Sequence, residues 1–202
     1  MLETAETLVS GEAGSNRREH SRAGGEVAVL SKAQRFLKKP GTVRAARGMS
    51  LFGEHSAGWF ALGLLGAAVD KPRRKDWLVA SAGVVGAHAA SIAVKRVVRR
   101  RRPDHPSVEV LVGTPSKLSF PSSHATSTTA AAVLYSGLTG RNLVPAVVPP
   151  MMASRLLLGV HYPSDVLAGA ALGGLVGGLI RRLCLSGTKS RSPLGGKPPR
   201  TP

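Results

Sequence analysis

Two histidines in the second half of the chain have neighbours suited to nucleophilic attack or proton transfer. His161 lies four residues before Asp165, and Pro163 between them is typical of the first turn of a helix. A carboxylate at that spacing can accept a hydrogen bond from one ring nitrogen and leave the other exposed and more basic. His124 follows Ser123 at a second expected helix start, where free N–H groups favour an anion, so it is a candidate proton donor.

Three basic residues, Lys95, Arg102 and Arg155, accompany these histidines. They would repel one another unless an anion lay among them, and Asp165 is the obvious fixed counter-charge. A phosphate group would supply the missing negative charge, and arginine binds phosphate bidentately. Taken alone, the basic run from Lys95 to Arg102 is more typical of a cytosolic loop beside a membrane span. The two histidines in the same region favour a phosphate site instead.

The distribution of charge indicates which elements position these residues. Lys and Arg total 28 against 11 acidic residues, a net charge of +17, which suggests nucleic acid, anionic lipid headgroups or phosphorylated substrates as partners. A nucleic-acid module would scatter its basic residues over the surface, whereas here they are clustered. In Trp77–Val94 and Leu118–Gly140 only a histidine could carry charge, and about 20 residues cross a bilayer core. We therefore expect membrane lipids, and no nucleic acid, as partners.

Shorter apolar stretches complete the pattern, which predicts an all-α, integral-membrane bundle of about five transmembrane helices, multi-pass in the cell (plasma) membrane. The expected helices run approximately over residues 56–69, 77–94, 122–139, 143–159 and 163–182. A hairpin of the third and fourth helices brings the end of the second and the start of the fifth to the same membrane face. The candidate residues on that face are Lys95, Arg102, Ser122, Ser123, His124, Arg155, His161 and Asp165.

The flanking segments differ from this core. Residues 1–25 and 185–202 are rich in Gly, Pro, Ser and charged residues, which predicts disorder. Residues 26–52 are expected to lie on the membrane surface, beginning with an N-terminal amphipathic surface helix that Pro40-Gly41 ends. A solvated helix that packs on nothing is the alternative.

Glycines at positions 169, 173 and 177 recur at the spacing that lets two membrane helices approach closely. The approach could lie within one chain or between copies, so a homo-oligomer through the last helix is a possible partner. A metal ion or other cofactor is not expected. The sequence has one cysteine, Cys184, no His/Cys set for zinc and no carboxylate cluster for magnesium.

Three motifs occur in order: K-x6-R-P over Lys95–Pro103, P-S-S-H over Pro121–His124, and S-R-x5-H-x3-D over Ser154–Asp165. Together they resemble the signature of the type 2 phosphatidic acid phosphatase (PAP2) superfamily of lipid phosphatases and vanadium haloperoxidases. The resemblance implies a metal-independent membrane phosphatase domain over residues 53–184. Ser123 departs from the glycine usual in the family, and a serine there would be strained if the position requires positive φ.

The resemblance also implies residue roles. His161 attacks phosphorus to form a phosphohistidine, Asp165 holds its ring, and His124 protonates the leaving oxygen. The phosphoryl oxygens are held by Lys95, Arg102, Ser122, Ser123 and Arg155.

The segments at 53–59 and 118–127 resemble an actinobacterial branch associated with dephosphorylation of decaprenylphosphoryl-5-phosphoribose, a precursor of cell-wall arabinan. Phosphatidylglycerophosphate, phosphatidate or polyprenyl diphosphate would suit the same residues. A non-catalytic basic membrane protein that binds anionic lipid is an alternative of a different class.

Several polar residues near the motifs have no role in this scheme. We expect His88 to be packed or bonded to a backbone carbonyl, Arg99–Arg101 to meet headgroups or solvent, and Asp104-His105 to lie in a solvated loop. Glu54 and His55 have no assignment.

Overall fold

The computed structural model describes residues 24–185, which fold into helices with no named strand among them. A single isolated antiparallel bridge joins Arg101 to Leu118 in the long segment before the third core helix. The predicted all-α fold is therefore confirmed. The disorder predicted for residues 1–25 and 185–202 falls almost entirely outside the described residues.

The five helices expected from the apolar stretches are present within a few residues of their predicted ends. The helix expected over residues 77–94 is longer at both ends, because it begins at Arg74 and continues to Val98. In chain order the helices are α1 (residues 24–37), α2 (Pro40–Gly53), α3 (Ala57–Val69), α4 (Arg74–Val98), α5 (Ser123–Thr139), α6 (Val144–Leu157) and α7 (Pro163–Cys184). Short 3-10 turns, Glu54–Ser56 and Lys71–Arg73, precede α3 and α4.

Two of these helices are long and apolar enough to cross a membrane, over Lys71–Val98 and Pro163–Cys184. α6 is an apolar helix of shorter length. Large apolar side chains, including Leu65 of α3 and Leu175 of α7, are exposed on the outside of the bundle.

α5 is the central helix, and its Ala, Ser and Thr side chains are buried over most of its length. Trp59 of α3 donates from its indole nitrogen to Thr128 Oγ1 at 2.9 Å, and the Tyr135 hydroxyl donates to the Trp59 carbonyl at 2.7 Å. Buried aromatic polar groups need such partners, so these bonds fix the position of α3 against α5. Larger buried side chains, Trp77, Leu134 and Leu138 among them, pack around this contact.

The glycine stripe of α7 packs against α5 within the chain. A Cβ atom built at Gly169 would lie 2.5 Å from the Ser122 carbonyl oxygen, and one at Gly173 would lie 2.2 Å from the Thr126 carbonyl oxygen. Gly177 of α7 faces Ala130 of α5. These glycines therefore serve the monomer, and a homo-oligomer through this helix stays a prediction.

α1 packs on the protein. Leu30 is fully buried, and Gln34 donates to the backbone carbonyls of Glu109 and Leu157 at 2.6 and 2.9 Å. The alternative of a helix that packs on nothing is therefore wrong. α1 ends before Pro40, as predicted. Pro40 also begins a second helix, α2, which was not predicted. The fixed φ of proline suits the first helical position, and that was the available signal.

Replacing Gly173 by alanine should destabilise the fold, because its new Cβ has no room beside the Thr126 carbonyl. We expect the free energy of unfolding to fall by about 1–3 kcal/mol, the usual range for overpacking. Thermal unfolding in detergent micelles measures the change. Gly178→Ala is the matched control, since nothing lies within 4 Å of its Cβ position. Equal destabilisation by both variants would contradict the assigned packing.

Candidate active site

A cavity of about 410 Å³ opens at the face where α4 ends and α5 begins. Helix α2 and the segment between α4 and α5 form its other walls. Six of the eight residues predicted from sequence line it together: Lys95, Arg102, Ser123, His124, Arg155 and His161. Ser122 and Asp165 are fully buried behind its wall.

His161 precedes α7 and is 2% exposed. Its Nε2 atom lies 3.2 Å from Arg102 Nη1, and its Nδ1 atom lies 3.6 Å from Asp165 Oδ2. A guanidinium group can only donate, so Nε2 is the accepting nitrogen and Nδ1 carries the proton toward Asp165. At 3.6 Å the carboxylate acts on the ring through its charge, because a formed hydrogen bond is shorter.

Burial lowers the pKa of His161 to about 4, an effect that Asp165 opposes and Arg102 reinforces. The ring is therefore neutral at physiological pH. A neutral imidazole with its Nε2 lone pair toward the cavity has the form that a nucleophile requires.

Asp165 is held by groups other than His161. Its Oδ2 accepts from the Tyr162 backbone N–H at 2.8 Å, which caps the start of α7, and its Oδ1 accepts from Arg100 Nη1 at 3.0 Å. Arg100 also donates to Ser164 Oγ at 2.6 Å and pairs with Glu26 of α1. The expectation that Arg100 meets headgroups or solvent is therefore wrong.

Arg155 of α6 is 2% exposed. Its Nη1 donates to Ser50 Oγ of α2 at 3.0 Å and its Nε to Ser154 Oγ at 3.3 Å, whereas its Nη2 is buried without a partner. Arginine does not deprotonate in proteins, so Arg155, which lines the cavity, is a buried positive charge with one unpartnered donor. An anion bound there would complete its hydrogen bonding.

Lys95 and Arg102 hold the segment between α4 and α5 as well as lining the cavity. Lys95 Nζ donates to the Pro121 carbonyl at 2.9 Å and lies 3.3 Å from the carbonyls of Leu118 and Ser119. Arg102 donates to Ser116 O at 2.8 Å through Nε and to Val160 O at 2.7 Å through Nη1. Burial lowers the pKa of Arg102 to about 10, which leaves it protonated at neutral pH.

The two serines at the start of α5 have different positions. Ser122 is its N-cap, with Oγ accepting from the Ala125 N–H at 3.4 Å, and it does not reach the cavity. Ser123 begins the helix, and among the described residues positive φ occurs outside glycine only at His55, Ser56 and Arg99. Serine in place of the family glycine therefore carries no left-handed strain.

α2 supplies a contact that the motifs did not reveal. His124 Nε2 lies 3.0 Å from the Ser50 carbonyl oxygen, which can only accept, so Nε2 carries a proton and Nδ1 is the nitrogen left for proton transfer. The Ser50 hydroxyl meets Arg155. One residue of α2 thus contacts two predicted site residues from separate helices.

His88, Glu54 and His55 line the same cavity. His88 Nδ1 is buried without a hydrogen-bond partner, so this atom makes no bond to a carbonyl, and the structural role expected for the ring stays a prediction. Asp104 and His105 are exposed and lie outside the cavity, in agreement with a solvated loop.

Residues 76–185 match the model of the PAP2 superfamily. The chain belongs to the PAP2 superfamily, which confirms the resemblance found in the three motifs. It is 57% identical over 157 residues to the decaprenylphosphoryl-5-phosphoribose phosphatase of Mycobacterium tuberculosis, covering 77% of this chain and 89% of that protein. The protein of the same name from Mycolicibacterium smegmatis is 57% identical over 146 residues, covering 72% and 81%.

Two solved structures share the fold. The transmembrane PAP2-type phosphatidylglycerolphosphate phosphatase from Bacillus subtilis matches with a TM-score of 0.70 at 22% identity, covering 85% of this chain and 90% of that chain. Aquifex aeolicus LpxE matches with a TM-score of 0.64 at 20% identity, covering 77% and 93%. At these identities the likeness extends to the fold alone.

Replacing Arg100 by alanine should leave the buried Asp165 carboxylate with one fewer partner. We expect the free energy of unfolding to fall by about 1–3 kcal/mol, as for other lost bonds to buried charges, and phosphate release to fall with it. Thermal unfolding and phosphate-release assays in detergent measure both effects. The control is Arg101→Ala, because Arg101 is exposed and has no side-chain hydrogen bond within residues 24–185. Unchanged behaviour of Arg100→Ala would contradict the assigned contact.

Proposed function

We propose that the chain is a membrane lipid phosphatase that removes the terminal phosphate from decaprenylphosphoryl-5-phosphoribose. Two relatives that are 57% identical over most of this chain are named decaprenylphosphoryl-5-phosphoribose phosphatase. The observation that carries the reaction class is the buried cationic cavity, in which Arg155 has a free donor and His161 presents an accepting nitrogen. A phosphate monoester offers an anionic oxygen to the Arg155 donor and an electrophilic phosphorus atom to the His161 nitrogen.

The proposed reaction has two steps. His161 Nε2 attacks phosphorus, a P–N bond forms, and the P–O bond to the sugar oxygen breaks. His124, which the phosphate's negative charge keeps in the doubly protonated imidazolium form, gives the leaving oxygen its Nδ1 proton. Water then attacks the phosphohistidine and gives a proton to the now neutral His124, which releases inorganic phosphate and restores both rings to their starting protonation states. Asp165 stabilises the positive charge that develops on His161 during attack.

Arg102 has a position suited to both the resting and the reacting state. Without substrate its Nη1 lies 3.2 Å from His161 Nε2, the atom that must attack. A phosphoryl oxygen is a stronger acceptor for a guanidinium than a neutral imidazole nitrogen. Substrate binding would therefore draw the Arg102 donor to the phosphoryl group and free Nε2. Arg155 and Lys95 would stabilise the charge that spreads over the equatorial oxygens.

We also propose that α3 to α7 all cross the cell membrane and that α1 and α2 lie at the catalytic face. The transmembrane relative from Bacillus subtilis shares the fold over 85% of this chain. Exposed apolar residues on α3 and α7 suit lipid contact, and Val29 and Phe36 of α1 are exposed beside its polar contacts.

Phosphate release from a panel of lipids tests the proposed chemistry. With EDTA present, wild type should release phosphate fastest from decaprenylphosphoryl-5-phosphoribose, compared with phosphatidylglycerophosphate, phosphatidate and polyprenyl diphosphate. His161→Ala should lose at least about a thousandfold in rate, as expected for removal of a nucleophile. His105→Ala, a change in an exposed loop, should keep wild-type activity.

Each contrary result has a separate meaning. Equal release by wild type and His161→Ala would contradict the nucleophile. A faster rate on another lipid would replace the substrate assignment, and no release from any lipid would favour a non-catalytic lipid-binding protein.

Accessibility labelling tests the five spans. In a Cys184→Ser background, cysteines placed at Lys71 and Arg141 should react from one side of the membrane and a cysteine at Asp104 from the other. All three positions are exposed in the structure. Labelling of positions 104 and 141 from the same side would contradict the proposed topology.

A further inference from the structure

The cavity extends beyond the cations that the proposed mechanism uses. Glu54, His55 and His88, called the distal polar cluster below, line it together with those cations. His88 precedes Lys95 by seven residues on α4, so it lies roughly 10 Å deeper along that helix. None of the three residues has a part in the phosphoryl transfer described above.

The distal polar cluster has unused hydrogen-bonding capacity. His88 Nδ1 is buried with no partner, and neither Glu54 nor His55 makes a side-chain hydrogen bond in the described part of the chain. The His55 and His88 rings have centroids 6.2 Å apart. Buried polar atoms are rarely left unsatisfied, so His88 Nδ1 is a candidate for a hydrogen bond to a ligand. Glu54 is half-buried and His55 is exposed, so both are open to the same ligand.

Backbone strain accompanies the same cluster. His55 and Ser56 are both left-handed, with φ of 50° and 60°, although neither is glycine. Non-glycine residues in this region cost free energy and persist where the surrounding structure holds them. The two strained residues turn the chain between α2 and α3, and this turn brings Glu54 and His55 to the cavity wall.

A metal ion does not explain the cluster. Between residues 24 and 185, no group of three His, Cys, Asp or Glu side chains is arranged to hold one. The cluster instead offers a carboxylate, which accepts from hydroxyl groups, and two imidazoles, which each both donate and accept. Hydroxyl groups of a sugar each donate and accept, so they are complementary to both kinds of group.

We propose that the distal polar cluster binds the hydroxyl-bearing sugar of a lipid-linked sugar phosphate. This inference rests on the proposed function, in which the sugar lies between the cleaved phosphate and the lipid. With that phosphate at Arg155 and His161, the sugar must occupy the next part of the cavity. A substrate whose phosphate is joined directly to an apolar chain would leave His88 Nδ1 unsatisfied and would place apolar groups against Glu54 and His55. The cluster therefore discriminates in favour of the sugar.

Binding of two soluble probes tests the inference without turnover when every protein compared carries His161→Ala, which prevents hydrolysis of the sugar phosphate. Ribose 5-phosphate and inorganic phosphate share the phosphate, and only the first carries the sugar. Dissociation constants follow from the ligand-dependent rise in unfolding temperature of the full chain in detergent micelles. The His161→Ala chain with an intact cluster should bind ribose 5-phosphate about tenfold more tightly than inorganic phosphate, the effect of one or two hydrogen bonds.

The variants Glu54→Gln and His88→Phe should each reduce that preference to about twofold or less while leaving the affinity for inorganic phosphate unchanged. Val85→Ala is the control, because Val85 lies exposed on the same helix and outside the cavity. The inference would be overturned if the chain with an intact cluster bound both probes equally, or if both variants kept the full preference for ribose 5-phosphate. It would also be overturned if the variants lost the same factor of affinity for both probes.

The lipid panel separates this inference from the proposed function. If the His161→Ala chain prefers ribose 5-phosphate but wild type does not release phosphate from decaprenylphosphoryl-5-phosphoribose, the substrate assignment fails and the sugar site stands. If wild type releases that phosphate but the His161→Ala chain shows no probe preference, the sugar site fails alone.

Discussion

Positive charge buried without a matching negative charge is the constraint on which the site depends. Arg155 is 2% exposed, cannot give up its proton, and keeps one nitrogen without a partner. Asp165, the acidic residue behind the cavity wall, already accepts from Arg100 and from the Tyr162 N–H. An anion entering the cavity relieves this deficit. The same fixed donors then stabilise charge that develops during phosphoryl transfer, so binding and catalysis follow from one electrostatic arrangement.

Close helix packing makes that arrangement rigid. The glycines of α7 bring it against α5, and the Ser122 N–H donates to the Asp165 carbonyl at 2.9 Å. This bond joins the starts of the two helices, beside which His124 and His161 lie. α2 adds a third connection, because Ser50 contacts both His124 and Arg155. The reacting groups are thus held by backbone and helix contacts, which lowers the cost of orienting them when substrate binds.

The sequence predicted features that depend on local spacing. The apolar stretches predicted the helix positions. The order of the helices predicted that the motif residues share one face, where six of them line the cavity. Contacts between distant segments were not predictable in the same way. Arg100 meets Asp165 across 65 residues and Ser50 meets Arg155 across 105, and no periodicity reports such pairs. The roles of Ser122 as a helix cap and of His88 as a cavity residue depended on which side of each helix faces inward, which only tertiary packing decides.

Detection of phosphohistidine tests the central claim most directly. Wild type mixed with substrate and quenched in base during turnover should yield a peptide with phosphate on His161, stable to alkali and labile to acid. Mass spectrometry of the digested chain locates the group, and His161→Ala should give no modified peptide. Phosphate on His124 instead, or turnover with no phosphorylated histidine in wild type at the earliest quench times, would contradict the account.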